Sequence, residues 1–316
     1  MAESERNTRG YYDLPVLKTP VWHWEVWSYF FLGGLAAGSF VVASLMTLFG
    51  DSRDRALSRA GYLISFGAVL LCPPLLIKDL GRPSRFLNML RVFKPQSPMS
   101  VGVWGLVGFS GVSTGMAFRQ AFAETRGPLG GVARALPIQV LAIAGTAIGL
   151  LLGSYTGILL SVTSVPLWSR SRWLGPTFLA SSVGSGLAAT SLALVSKSPT
   201  PTSTLRKIER SKLIVAGLEA VALVGYVRAT GRAVRPLIDA DQCGKQFAAG
   251  AVGLGVVIPA LAGLTGHHSR RLPLILASLC GLAGGLLLRY ALVEGGRYSA
   301  EDPGTTFWHT DVRKGR

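Results

Sequence analysis

The sequence predicts an all-α integral membrane protein, and three observations carry that prediction. Eight apolar segments follow one another along 316 residues, each near the roughly 20 residues that cross a bilayer as a helix. Of all residues 49% are hydrophobic and only 15% charged, against about 25% charged in an ordinary soluble domain. The 39 glycines suit helices that approach one another closely in lipid.

The segments run over about 24–49, 61–77, 101–122, 136–160, 175–195, 212–230, 247–265 and 272–293, within one polytopic domain covering 1–316. The first is too long for a signal-peptide core and has no small-residue cleavage site behind it, so it is read as a retained span. Pro73 and Pro74 are expected to kink the second, because each removes a backbone donor. Ser97-Pro98 before the third reads as an N-cap followed by proline at N1. Gly34–Gly38, Gly145–Gly149–Gly153 and Gly281–Gly285 are small-residue repeats expected at helix contacts. Arg119 and Arg228, at span ends, are expected to snorkel.

A net charge of +16 raises nucleic acid as a partner. The basic residues, however, lie in short loops between apolar runs and form no basic face, which excludes it. Anionic lipid and topology account for the charge. Cys72, Cys243 and Cys280 have no CxxC or CxxCH spacing, so neither a disulfide framework nor a cluster or haem-attachment motif is indicated. Eight spans put both termini on one side. Lysine and arginine are nearly balanced between the two sides, and the acids, which lie mostly on the side of the termini, contribute little to orientation; we place the termini outside.

Between the second and third spans lies Lys78–Ser100, a charged, proline-punctuated insert on the side of the termini. Phe86, Met89, Leu90 and Phe93 recur at i, i+3, i+4 and i+7, with Arg85, Asn88 and Arg91 opposite, so a short helix in the membrane interface is expected. A basic loop held by lipid phosphates is the alternative.

Four histidines are present, His23, His267, His268 and His309. None of their positions supplies a facing pair inside the spans, so neither a bis-histidine haem nor an internal metal is expected. His23 opens the first span in Trp22-His23-Trp24-Glu25, where Trp22, Trp24 and Trp27 form an interfacial aromatic belt. Anchoring alone explains that run. His23 and Glu25 are also titratable groups at the depth where a lipid-soluble ligand's polar head would rest. The insert and Tyr155 lie at the same level by topology. A quinone, whose reduction takes two electrons and two protons, needs donors such as His and Tyr and a proton acceptor near neutral pH, in an otherwise apolar pocket. Glu219 and Arg289, both mid-span, are costly in lipid. They pair structurally or form part of a proton route.

Asp79-Leu80-Gly81-Arg82-Pro83 with Arg85-Phe86, then Lys94-Pro95 and Ser97-Pro98-Met99-Ser100, resembles the NrfD/polysulfide-reductase family of membrane subunits. Tyr29-Phe30-Phe31-Leu32-Gly33-Gly34-Leu35-Ala36-Ala37-Gly38, Tyr155-Thr156-Gly157-Ile158-Leu159-Leu160 and Leu288-Arg289-Tyr290 are similar to that family too. The resemblance implies eight spans in two four-helix bundles, without haem or an iron–sulfur cluster in the chain. It implies a ferredoxin-like, four-cluster iron–sulfur partner and a molybdopterin or other catalytic subunit that carries the remaining chemistry. It implies that His23 and Tyr155 hold the head of a menaquinone or ubiquinone, with Asp79 and Arg82 at the same face and Glu219 on a proton route. Glu25 is added as a relay candidate from its depth and chemistry. The expected role is a quinone-reactive subunit of a respiratory oxidoreductase in the cell membrane. The alternatives are a passive anchor and a transporter; formate, hydrogen, nitrite, polysulfide and tetrathionate remain open as substrates of the whole complex.

Overall fold

A chain in hydrocarbon has no water to satisfy its backbone, so its apolar segments close their own hydrogen bonds as helices. The computed structural model describes residues 17–169, 171–197, 202–239, 241–264, 271–304 and 306. Eight helices among them are long and apolar enough to span a membrane, and no strand occurs among the described residues. The helices are α1 (Trp24–Phe49), α2 (Arg55–Asp79), α3 (Phe86–Arg91), α4 (Pro98–Phe122), α5 (Pro128–Ala135) and α6 (Ile138–Ser161). They continue with α7 (Pro166–Ser169), α8 (Leu174–Lys197), α9 (Thr202–Thr230), a π-helix (Gln246–Val257) running into α10 (Ile258–Leu264), and α11 (Arg271–Glu301). His267, His268, His309 and Arg270 lie outside the described residues.

Helix α1 is the hub. It packs on α2, α6, α8 and α11, while α8 also packs on α6, α9 and α11. The α1–α8 seam exists because of glycine. A methyl group on Gly38 would run into the Ser182 carbonyl of α8, and one on Gly186 into the Gly38 backbone. Gly38→Ala is therefore expected to destabilise the fold by about 1–3 kcal/mol, as overpacking does. The thermal midpoint of the purified protein checks this, with Gly67→Ala as control, since a methyl there meets nothing within 4 Å.

Several boundaries differ from those the apolar pattern predicts, and each difference has a polar cause. Helix α2 begins six residues earlier than the apolar run, after a 3-10 turn at Ser52–Asp54. Asp54 is only 1% exposed there. It accepts from Thr204 Oγ1 at 2.8 Å and Lys207 Nζ at 2.7 Å. That bond pair also makes the polar stretch before residue 212 the helical start of α9. At the other end α2 runs through Pro73 and Pro74 to Asp79. Helix α11 extends to Glu301, with Arg297 Nη1 bonded to Glu294 Oε2 at 3.0 Å one turn away. Pro98 occupies the first turn of α4 as expected, but the Ser97 side chain makes no cap. Arg119 Nη1 donates to the carbonyls of Ala133, Arg134 and Leu136, closing the C-terminal end of α5.

The π-helix has no sequence signal that hydropathy reads. It packs on α11 where Gly255 and Gly284 meet, a methyl on Gly255 falling 3.3 Å from the Gly284 backbone. Single π turns frequently mark functional regions in helical proteins.

The insert is short and largely exposed. A 3-10 turn at Pro83–Arg85 leads into the six residues of α3. Phe86, Met89 and Leu90 are partly covered, whereas Leu87 and Arg91 are exposed. Phe93 falls outside the helix, which stops at Arg91 because Ser100 Oγ binds the Val92 carbonyl and accepts from the Lys94 amide. Its ring instead meets Trp104 of α4 edge-on, at 6.3 Å between centroids.

Candidate functional site

The start of α1 and the end of α2 bring charged groups together at one face. His23 takes the N-cap position of α1, but its side chain makes no capping bond and is exposed. Two residues on, Glu25 turns inward to 8% exposure. Lys78 of α2 meets it, Nζ lying 3.0 Å from Glu25 Oε1. The same ammonium sits 4.4 Å from the centre of the Trp24 ring, a cation–π contact. Asp79 follows Lys78 and interacts electrostatically with both Glu25 and His23. Three predicted site residues thus share one cluster, and Lys78 supplies its counter-charge. Glu25 Oε2 is buried and makes no hydrogen bond.

The aromatic belt is only partly a belt. Trp24 is half exposed. Trp22, however, stacks on Trp168 at 5.1 Å, and Trp27 meets Tyr290 edge-on at 5.7 Å. Trp168 is in turn fixed by Nε1 donating to the Leu292 carbonyl at 2.7 Å. Two of the three tryptophans therefore lock the entry of α1 to the C-terminal half of the chain.

Tyr155 lies in the layer below, on α6, 7% exposed. Its hydroxyl donates to the Pro98 carbonyl at 2.6 Å, and its ring occupies the space that a side chain on Gly102 would fill. Tyr29 of α1 and Cys72 of α2 meet nearby, a methyl built on Gly33 falling 3.8 Å from Tyr29 Cε2 and 4.0 Å from Cys72 Sγ. Arg82 stands apart: it is exposed and makes no hydrogen bond or ion pair with the described residues. Arg85, Arg91 and Lys94 are exposed beside it, as are Leu87, Val92 and Phe93.

Glu219 belongs to a second, wholly internal cluster. It is 5% exposed on α9, facing Ser181 and within the field of Arg289. Arg289 is 0% exposed. Its guanidinium donates to Ser181 Oγ, to the Gly285 and Phe178 carbonyls at 2.9 and 3.2 Å, and to Ser182 Oγ at 3.1 Å. Beside this network is a cavity of about 20 Å³ lined by Ser181, Ser185, Lys212, Glu219, Gly255 and Pro259 among others. That is room for about one water. Lys212 donates to Ser278 Oγ at 2.9 Å. It lies seven residues before Glu219 on the same face of α9, a spacing that would have picked it out of the sequence.

A multi-pass helical membrane protein with a titratable, aromatic-rimmed cluster where two spans open to one face is the class that fold and site define. The protein-family comparison then matches residues 15–300 to the family described as "Polysulphide reductase, NrfD", and the chain belongs to that family. It is 29% identical to "Protein NrfD" of Escherichia coli (strain K12) over 308 residues, 88% of this chain and 95% of that protein. It is 28% identical to the C subunit of the polysulfide reductase of Wolinella succinogenes over 309 residues, with the same shares covered. "Protein NrfD homolog" of Haemophilus influenzae is 27% identical over 318 residues, 90% of this chain and 98% of that protein.

Proposed function

We propose that this chain is the haem-free, quinone-reactive membrane subunit of a respiratory oxidoreductase complex. It passes electrons between a four-cluster, ferredoxin-like iron–sulfur partner and the membrane quinone pool, and a molybdopterin or other catalytic subunit acts on the second substrate. The observation that carries the reading is the cluster of His23, Glu25, Lys78 and Asp79 at the mouth of the α1–α2 contact, with Tyr155 below it. Membership in a family whose relatives include one subunit of a polysulfide reductase supports it. The cell membrane, with termini and cluster outside, is the location that goes with it.

A menaquinone or ubiquinone supplies a couple of two electrons and two protons when bound. The residues present fit such a head, because Glu25 keeps a buried carboxylate oxygen without a partner beside an imidazole with no capping duty. His23 donates to, or accepts from, an oxygen placed at the mouth of the site. Glu25, held by Lys78 through Oε1, offers Oε2 to a proton. Asp79, exposed at the end of α2, exchanges that proton with water. Tyr155 shapes the inner wall. Glu219 acts as a relay group separate from this cluster, and the water-sized cavity between it and Lys212 supports that role.

The exposed insert suits the iron–sulfur partner. Arg82, Arg85, Arg91 and Lys94 give positive charge, and Leu87, Val92 and Phe93 give apolar area that stays exposed among the described residues. Replacing Arg82, Arg85 and Arg91 together by glutamate is expected to weaken capture of the partner by at least about 10-fold, since charge reversal at a complementary surface opposes association. Co-purification from membranes at low and high salt checks it. Undiminished capture at low salt would move docking elsewhere.

A further inference from the structure

We infer that Lys212 is a second counter-charge to Glu219, joined to it by water held in the cavity where α8, α9, the π-helix and α11 meet. The inference rests neither on the quinone reading nor on a relay role for Glu219; it concerns how the internal cluster balances its charges. Lys212 is 7% exposed on α9. An ammonium has three protons to give, and among the described residues that of Lys212 gives one to Ser278 Oγ at 2.9 Å. Ser278 donates its own proton to the Leu274 carbonyl, so this bond brings Lys212 no negative charge. Glu209, three residues earlier, is buried but has partners of its own. A buried ammonium is costly without a counter-charge.

Glu219 is the carboxylate that lines the cavity with Lys212. The two lie seven residues apart on α9, about 10 Å along its axis, and no direct ion pair joins them among the described residues. Arg289 already opposes Glu219 from α11, so the cluster holds two cations and one carboxylate, with Lys212 the cation left over. Other groups around the same space call for a partner. Ser185 Oγ, in the cavity wall, is buried without a hydrogen bond. Pro259, also in the wall, has no N–H for the carbonyl five residues before it, although Ile258 still donates to Gly253. Inside a membrane such groups are served by neighbouring side chains or by ordered water. Water here accepts from Lys212, donates to Glu219 and bonds Ser185, the set of about three polar partners that buried water typically has. Lys212 is thereby a positioning residue for Glu219, and a single polar node ties α8, α9 and α11 together.

The test uses the full chain in detergent and reads the thermal midpoint of Lys212→Met, Glu219→Gln and the double variant. Were Lys212 an isolated buried charge, methionine in its place would be neutral or stabilising. Coupling predicts the reverse. Each single change is expected to lower the midpoint, and the loss in the double variant to fall short of their sum by at least about 2 °C. Additive losses, or a Lys212→Met protein as stable as the parent, overturn the inference. Gly281→Ala narrows the cavity through ordinary contacts, its methyl falling 3.4 Å from Ala188 Cβ and 3.6 Å from Pro259 Cγ. By displacing the water it is expected to shrink the coupling, and coupling of undiminished size in that background overturns the bridge. Where a variant fails to accumulate, a cryo-EM map of the parent complex fine enough to show waters decides. Water density linking Lys212 Nζ to a Glu219 carboxylate oxygen supports the inference; a dry cavity overturns it.

Discussion

Replacing His23 by alanine is expected to lower quinone-linked turnover of the assembled complex by about 100-fold, the usual contribution of a positioned acid–base group. The complex itself should assemble normally, because the imidazole caps nothing: it is exposed and makes no side-chain bond to the start of α1. Nor does it hold the tryptophans, since Trp22 is fixed by Trp168 and Trp27 by Tyr290. Steady-state quinol oxidation or quinone reduction by the purified complex is the measurement, with subunit ratios determined in parallel. Unchanged turnover in a fully assembled complex would reduce this chain to a passive anchor. Reduction of the partner's clusters by their own substrate should survive the substitution, which separates a quinone defect from an upstream one.

Arg289→Ala is expected to be the most damaging change to the fold. The side chain is completely buried and its guanidinium serves two serine hydroxyls and two carbonyls, at Ser181, Ser182, Phe178 and Gly285. Removing it strands those groups, at roughly 1–3 kcal/mol for each buried acceptor left without a donor, and takes away the positive charge whose field reaches Glu219. Accumulation in membranes should fall sharply, with a lowered thermal midpoint for whatever is recovered. Adding Glu219→Gln to Arg289→Ala should restore part of the loss, because the orphaned charge goes while the shape stays. If the double variant is no better than the single, Arg289 acts through its hydrogen bonds and not through Glu219.

The spans were legible because hydropathy and backbone satisfaction in lipid act on every residue of a helix. Where a charged residue is paired, that signal fails. Asp54 and Lys207 are far apart in sequence, so neither the early start of α2 nor the polar first turns of α9 could be read before the two were seen to bond. The π-helix over Gln246–Val257 was invisible for a different reason, since it depends on how Gly255 meets Gly284 in another span. Topology alone set His23, Glu25 and Asp79 at one face. The pairing of Glu25 with Lys78 across the α1–α2 contact required coordinates. Arg82, grouped with the cluster by its place in the insert, is exposed beside Arg85 and Arg91.

The central claim is that the quinone head lies where α1 meets α2, beside His23, with Tyr155 on the inner wall. Photolabelling the assembled complex with an azidoquinone, followed by peptide mapping, tests it most directly. Label is predicted on residues 22–29 and on the α6 segment around Tyr155, and it should disappear when excess unlabelled quinone is present. Competable label confined to the α9 and α11 segments around Glu219 and Arg289, with none on residues 22–29, would contradict the account.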